Sequence, residues 1–272
     1  GGGDIARYYI SGSYRTNDAA YRESGHSSYH SNVRRRQYVF RTNLDMDITR
    51  STALAVDFST HAVTMNRPGI GRTDRLGQIQ ADLNPLVIPR RYSNGQVPCY
   101  GADNQASPVV LLNETGYVSE FRNTVETRLE LTQDLSRLLP GWKASVSVAY
   151  DLHSADSTAR TKMPALYQAT GRDGQGRLIT EQKVEEQKVG YAFRSSNWQQ
   201  FYFEGKTTYS RNCGHHRFGA LLLFNLSRRE TSEAADVLNA VPEKNMGVAG
   251  RLTWSFRDIY LVTPAAAQPV TQ

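Results

Sequence analysis

Two aspartates separated by one residue, Asp45 and Asp47, are the first arrangement in this sequence that could carry chemistry. On an extended strand they lie on the same face, about 7 Å apart, and paired carboxylates can act as general acid and base. Arg41 shares that face, so the pattern favours a charged, hydrated lining over a catalytic pair. We expect no catalytic residue, no cofactor and no enzyme activity.

Other residue types that bind metals or phosphates lack the spacing these sites need. His215 and His216 are adjacent, and adjacent residues on a strand point to opposite faces, so they are poor joint ligands for one ion. Cys99 and Cys213 do not have the spacing of a zinc site. The glycine-rich stretch at 171–176 has no strand-to-helix unit around it. We therefore predict neither a metal site nor a phosphate-binding loop.

The residues around the aspartates alternate between apolar and polar side chains, which is the pattern of a β-strand with two different environments. In FRTNLDMDIT, residues 40–49, Leu44, Met46 and Ile48 fall on the face opposite Asp45 and Asp47. Similar strand-like segments recur along the chain. They predict eight strands, over residues 7–15, 38–49, 53–64, 123–133, 142–153, 199–209, 216–227 and 247–257.

The connections between these strands alternate between short and long, and this alternation predicts the class of fold. Short connections are expected at 50–52, 134–141 and 210–215, and long ones at about 16–37, 65–122, 154–198 and 228–246. Outer-membrane barrels combine short periplasmic turns with long extracellular loops, and about 10 residues per tilted strand span a bilayer. We predict an all-β fold: an antiparallel up-and-down transmembrane β-barrel segment of about eight strands, open or incomplete.

Composition agrees with a strand-built membrane protein and argues against other classes. The 272 residues carry a net charge of +6, but the dense run Arg34–Arg36 has no basic surroundings with interleaved aromatics, so we expect no nucleic-acid partner. No apolar run approaches the ~18 residues of a membrane-spanning helix. If the chain enters a membrane, it does so as a barrel.

The alternation assigns the two faces of each strand to different surroundings. The residues predicted to face lipid are Leu44, Met46, Ile48, Leu129, Leu131, Val146, Val148, Phe201 and Phe203. The residues predicted to face a wet lumen are Arg41, Asn43, Asp45, Asp47, Glu126, Arg128, Glu130, Glu204 and Lys206. Aromatic residues near the strand ends are expected to form two interfacial girdles; they are Tyr14, Tyr38, Trp142, Tyr150, Tyr209 and Trp254.

Three alternatives remain open from the residues alone. The apolar faces could cover the core of a soluble, carbohydrate-binding β-sandwich. The eight strands could close into a small outer-membrane barrel, porin-like or enzymatic, whose lumen holds the paired charges. An enzyme site could use histidines expected at or beyond the outer strand ends, namely His26, His30, His61 and His153.

Several segments resemble the β-barrel of SusC/RagA-type TonB-dependent outer-membrane receptors, in the order of that family. They are RYYISGSYRTNDAAYR, RRQYVFRTNLDMDIT with its TRSTAL turn, NPLVIP, SPVVLLNETGY, NCGHHRFGALLLFN and VAGRLTWSFRDIYL. The resemblance covers roughly residues 1–261, which we take as a partial receptor barrel domain. Residues 262–272 form a Pro/Ala-rich tail that departs from the family, and Pro264 and Pro269 make it a poor strand.

The resemblance implies a large closed barrel in the outer membrane of a Gram-negative bacterium, which imports nutrients such as glycans or peptides. It also implies a plug domain, the energy-coupling protein TonB and a SusD-like surface lipoprotein as partners. The plug and the TonB-contacting segment are not seen in this sequence, so we interpret the chain as a receptor fragment that does not transport alone. With no strand expected after Leu261, the sheet should stay open.

We predict that Cys99 and Cys213 do not pair with each other. Cys99 falls in a long connection and Cys213 in a short one, so the length of the strands separates them, whereas a disulfide needs Cα atoms within about 7 Å. Mass spectrometry of a non-reducing digest should recover both cysteine peptides unlinked. An intramolecular link between them would contradict the predicted topology.

Overall fold

The computed structural model describes residues 1–23, 29–70, 74–84, 86–232, 241–257 and 259–271. In chain order its elements are β1 (Ala6–Asp18), β2 (Arg34–Thr49), β3 (Thr52–Pro68), α1 (Asp74–Asp82), β4 (Val97–Tyr100), β5 (Gln105–Ala106), α2 (Pro108–Asn113), β6 (Gly116–Asp134), β7 (Trp142–Met163), β8 (Leu166–Arg172), β9 (Leu178–Val184), β10 (Gln187–Cys213), β11 (His216–Thr231), β12 (Glu243–Phe256), β13 (Tyr260–Val262) and β14 (Ala265–Thr271).

Ten of these strands form one main sheet in the order β1-β2-β3-β6-β7-β10-β11-β12, with β13 and β14 both paired to β12. Every neighbouring pair in this sheet is antiparallel. Within the described residues no pairing joins β1 to the β12–β14 side, so the sheet is open. The predicted all-β, antiparallel, up-and-down sheet is confirmed, with two strands more than expected.

Short connections all lie at one end of the main sheet and long ones at the other, as predicted. The short ones cover 50–51, 135–141, 214–215 and 257–259, and the long ones cover 19–33, 69–115, 164–186 and 232–242. The turn at 135–141 ends at Gly141, whose φ is +87°. A Cβ there would lie 1.9 Å from the Ser210 carbonyl oxygen, so this tight turn requires glycine.

Several strands run well beyond their predicted ends on the side of the long connections. β7 continues to Met163 instead of stopping near residue 153, and β10 begins at Gln187 instead of residue 199. The extension of β7 reads SADSTARTK, which is polar on both faces. Alternation fails there because neither face meets apolar surroundings, whereas the backbone ladder does not depend on side-chain polarity.

The expectation that the tail after Leu261 supplies no strand is wrong. β14 pairs with β12 over residues 245–251, with Pro269 opposite Gly247. An edge strand is bonded on one side only, so the donor that proline lacks costs least there. Pro264 precedes β14, and its carbonyl oxygen accepts a hydrogen bond from the Leu252 N–H at 3.0 Å.

The two longest connections fold together into a unit that we call the cap, made of α1, α2 and a small sheet in the order β5-β4-β8-β9. Its hydrophobic core consists of Leu76, Ile79, Val97, Cys99, Ala106, Val110, Leu111, Leu112 and Leu166. Residues 65–122 and 154–198 were expected to be loops. The cap elements are short and carry no sustained periodicity, so only the apolar run in SPVVLLN, with proline at the helix start, hinted at them.

Because this core is separate from the main sheet, we predict that Leu166→Ala unfolds the cap selectively. Leu166 is 1% exposed, and deleting such a side chain costs about 2–5 kcal/mol. Hydrogen exchange should show lower opening free energies in α2, β4 and β8 but unchanged protection in β2 and β3. Leu86→Ala is the control, since Leu86 is 92% exposed and its loss should cost less than about 0.5 kcal/mol. Equal loss of protection in both units would contradict a separate cap.

Candidate functional site: the two faces of the main sheet

The register of the main sheet arranges apolar side chains in rows that cross neighbouring strands. One such row contains Tyr8, Leu44, Val56, Leu129, Val148, Phe203, Leu226 and Met246, each paired with the next. The next row contains Met46, Leu54, Leu131, Val146, Gly205, Phe224 and Val248. Paired residues in a sheet point to the same side. One side of the main sheet, the apolar face, is therefore covered by hydrophobic side chains.

The residues assigned to lipid from sequence share this apolar face. Phe201 lies in the row of Thr127 and Tyr150, on the same side as Phe203. Ile48 lies at a register shift between Asp47 and Thr49, so the pairing does not fix its side. Contact of this face with lipid stays a prediction.

On β7 the apolar side chain is the more exposed one, which is the reverse of a strand in a water-soluble sheet. On β7, Val146 is 44% exposed, whereas its neighbours Ser145 and Ser147 are 8% and 4% exposed. Leu129, Leu131 and Phe201 are also among the exposed side chains. Burying the apolar face accounts for most of the stability of an ordinary soluble sheet. On β7 the polar face is therefore the more covered one, whereas on β2 Asp45 and Asp47 are exposed and Leu44 and Met46 are half-buried.

All residues assigned to the lumen from sequence share the opposite side, the polar face. Rows of paired residues place Arg41 with Glu126, Asn43 with Arg128, and Asp45 with Glu130 and Glu204. Asp47 and Lys206 belong to a further row on that side. The register also brings Asp57 and Asp151 onto the polar face, which the sequence analysis did not single out. The alternation of apolar and polar residues in β3 and β7 predicts that both aspartates lie on this face.

Charges on the polar face form a connected network across β6, β7 and β10. Arg128 donates hydrogen bonds to the Glu130 carboxylate at 2.5 Å and to the Ser147 hydroxyl at 3.1 Å. The Lys206 ammonium lies 3.7 Å from Glu130 and 3.9 Å from Glu204. Opposite charges in such a network compensate one another, so a partly covered face tolerates them. Its chemistry is that of a hydrated wall lined with donors and acceptors.

Beside this network, polar groups of β2, β3, β6 and β7 line a cleft of about 310 Å³. Asn43 donates a hydrogen bond to the Asp57 carboxylate at 2.5 Å, and Ser59 donates one to Glu126 at 3.1 Å. Arg41 lines the same cleft. Asp45 and Asp47 do not line it, which agrees with their interpretation as wall residues.

The aromatic residues assigned to girdles lie at different heights on the apolar face. Trp142 pairs with Tyr209 beside the short connections. Trp254 lies on the same face, in the next row toward those connections. Tyr14 and Tyr38 pair near the long connections, with ring centroids 5.0 Å apart. Tyr150 lies between these groups, because β7 extends far beyond it. Whether these rings lie at membrane interfaces stays a prediction.

The histidines considered for an enzyme site do not gather at the strand ends. His61 and His153 lie inside β3 and β7 on the polar face, on either side of Thr124. The Thr124 hydroxyl is 2.9 Å from His153 Nδ1, and His153 stacks on Trp198. Placing these two histidines at or beyond the strand ends was wrong, because the strands are longer than predicted. His26 lies outside the described residues.

At the long-connection end, a polar cleft of about 300 Å³ opens between the first long connection and β3. Glu23 lies at this cleft and accepts hydrogen bonds from the Asn32 backbone N–H at 2.7 Å and from His30 at 3.2 Å. Burial alone would raise the pKa of Glu23, but these hydrogen bonds and the His30 charge together lower it. In its ionised form Glu23 therefore ties itself to Asn32 and His30.

No helix in the described part of the chain is long and apolar enough to cross a membrane. Within the same residues, no cluster of three or more histidine, cysteine or acidic side chains could hold a metal ion. Both cysteines are free, with Cys99 buried in the cap and Cys213 exposed beside a short connection.

Neither a family model nor a curated protein matches this sequence.

We predict that the segment around Glu23 loosens in acid. The pKa of Glu23 is lower in the folded chain than its ordinary value of 4.5, so its contribution to stability is complete above pH 4.5 and is lost as the pH falls through the lowered value. Amide exchange at Asn32, corrected for the intrinsic pH dependence, should show protection at neutral pH that disappears in that acidic range.

Glu23→Gln tests the cause of this loss, because glutamine keeps the shape of the side chain but cannot ionise. Its protection at Asn32 should be weak and nearly independent of pH. A wild-type-like pH profile in Glu23→Gln would show that another group governs this segment.

Proposed function

We propose that the main sheet is part of the wall of an outer-membrane receptor barrel that imports nutrients. The observation that carries this proposal is the pair of faces: two apolar rows that cross eight strands without any buried side chain, and a charged network on the opposite face that is partly covered. Transmembrane barrels have this inverted pattern, with apolar side chains toward lipid and polar ones toward the lumen. On a sheet in water, exposed rows of this extent would be an aggregation hazard.

The open edges favour a wall that belongs to a larger barrel. In hydrocarbon each unpaired backbone group costs several kcal/mol, so spanning sheets must be closed. Strand β1 on one side and the β13–β14 pair on the other each leave one edge without a described partner. Large plugged barrels use about 22 strands. Because β13 and β14 share one edge of β12, the main sheet is nine strands wide and would form about two fifths of that circumference.

The alternation of connections supports an orientation in the membrane. Outer-membrane barrels carry their short turns on the periplasmic side, which would direct the connections at 50–51, 135–141 and 214–215 to the periplasm. The cap and the cleft at Glu23 would then lie outside the cell. A folded cap of this kind could contribute to substrate capture at the barrel mouth.

The segments that resemble SusC/RagA-type receptors support a more specific version of the same proposal. In that version the protein lies in the outer membrane of a Gram-negative bacterium and takes part in uptake of glycans or peptides. A plug domain, TonB and a SusD-like surface lipoprotein would be its partners, and it would need no cofactor. The hydrated polar face suits passage of polar nutrients, and nothing in its described geometry resembles a catalytic centre.

The soluble sandwich fits less well, because no second sheet of the described structure covers the apolar face. A small closed barrel fits less well too, since the described edges do not meet.

We predict that Val146→Arg prevents folding in detergent micelles, whereas Ser147→Arg does not. The two residues are adjacent on β7 but point to opposite faces. A charge on a lipid-facing position near mid-membrane costs about 2–4 kcal/mol. At position 147 the new arginine would lie in the row of Glu130 and Glu204, whose carboxylates can pair with it.

Both variants and the wild type would be refolded in micelles and digested with protease, and survival of β7 would be followed by mass spectrometry. The wild type and Ser147→Arg should protect β7, and Val146→Arg should not. Equal protection of β7 in the two variants would refute the assignment of the faces, and with it the membrane function.

A further inference from the structure

A groove of about 640 Å³ lies on the apolar face, next to the short connections. Its floor is made of small side chains in two adjacent rows, Thr207, Ala220, Gly250 and Ala266. Larger side chains stand around them and form its walls, namely Leu139, Trp142, Tyr209, Leu222, Leu252 and Pro264. Elsewhere on this face, rows such as that of Leu129 and Phe203 carry bulky side chains without such a gap.

The groove is mainly apolar. Arg251 also borders it, but the register directs that side chain to the polar face. The Trp142 indole N–H donates a hydrogen bond to the Thr207 hydroxyl at 2.6 Å. Thr207 is also bonded to the Lys143 carbonyl oxygen at 3.2 Å. A polar occupant would therefore find few free partners on the floor. An acyl chain matches this lining, because each buried methylene contributes about 0.8 kcal/mol.

A cation of the apolar face, Arg211, lies beside the end of the groove that is nearer the short connections. It is paired with Phe218, one row beyond Tyr209, which lines the groove, and its side chain is exposed. Arginine at the boundary between an apolar surface and water binds phosphate oxygens by charge-assisted hydrogen bonds.

We propose that this groove is a binding site for one anionic phospholipid, with an acyl chain over Gly250 and Ala220 and the headgroup phosphate at Arg211. The inference rests on the proposed function, since it requires the apolar face to meet a bilayer. Charge complementarity selects the occupant: the cation Arg211 lies in the row just beyond the groove, and a phospholipid has an apolar chain that ends at an anionic phosphate. The site would fix a lipid of the inner leaflet against β10, β11 and β12.

The test uses the full chain refolded in detergent micelles that contain equal amounts of phosphatidylglycerol and phosphatidylethanolamine. Native mass spectrometry then counts the lipid molecules that remain bound after release from the micelle. The wild type should retain one lipid and prefer phosphatidylglycerol about fivefold, because both lipids offer a phosphate to Arg211 but only phosphatidylethanolamine adds an ammonium that the arginine repels.

Two pairs of variants separate the groove from the rest of the apolar face. Gly250→Leu fills the floor and should abolish retention, whereas Gly205→Leu changes another glycine on the same face outside the groove and should not. An added Cβ fits at both positions, with nearest neighbours at about 4.0 Å. Arg211→Gln should remove the preference for phosphatidylglycerol, whereas Arg217→Gln, on the opposite face near the same turn, should leave it unchanged.

Each result decides for or against the site. Absence of retained lipid in the wild type would overturn it, as would retention that survives Gly250→Leu or a wild-type preference in Arg211→Gln. If Val146→Arg and Ser147→Arg still differ as expected above, the membrane wall stands and only the lipid site fails. If they do not differ, the proposed function itself has failed.

Discussion

The backbone ladder of the main sheet is the constraint on which the rest of the structure depends. Side chains alternate along each strand, so a slip of one residue in any pairing would move every apolar side chain of that strand to the other face. The register keeps Leu44, Val56, Leu129 and Val148 in one row. It keeps Glu130 and Glu204 in a row on the opposite side. Both faces are consequences of that single register.

Two different sources of stability follow from this arrangement. The cap has its own buried core around Val110 and Leu166, so hydrophobic burial holds it together in water. The main sheet buries few large apolar side chains: among its described strand residues, the buried apolar ones are Val118 and Pro68. Its cohesion in the described structure comes from ladder hydrogen bonds and from the Arg128 network. An apolar medium against the exposed face would supply what is missing.

The sequence predicted those parts of the fold in which side-chain polarity follows the backbone period. The alternation of β2, from Arg41 to Asp47, was sufficient to place its residues on the correct side of the strand relative to one another. The same signal fails for 154–163 in β7, because a strand that is polar on both faces cannot be distinguished from a loop by composition. The cap was missed for another reason: its core joins Leu76, Val97 and Leu166, which are far apart in sequence, and no local pattern records such contacts.

The strand after Leu261 was also missed, and its position matters for how the sheet can close. Strand directions alternate along the order β1-β2-β3-β6-β7-β10-β11-β12, and β14 follows β12 antiparallel to it. β14 therefore runs in the same direction as β1, so direct pairing of these two edges would be parallel.

An antiparallel barrel requires an even number of strands around its circumference. While β14 occupies the edge of β12, closure requires an odd number of further strands. If β14 is displaced, β12 presents an edge antiparallel to β1, and an even number completes the ring. In the barrel that we propose, the edge taken by a short strand with a proline is thus the point at which the parity of the wall is decided.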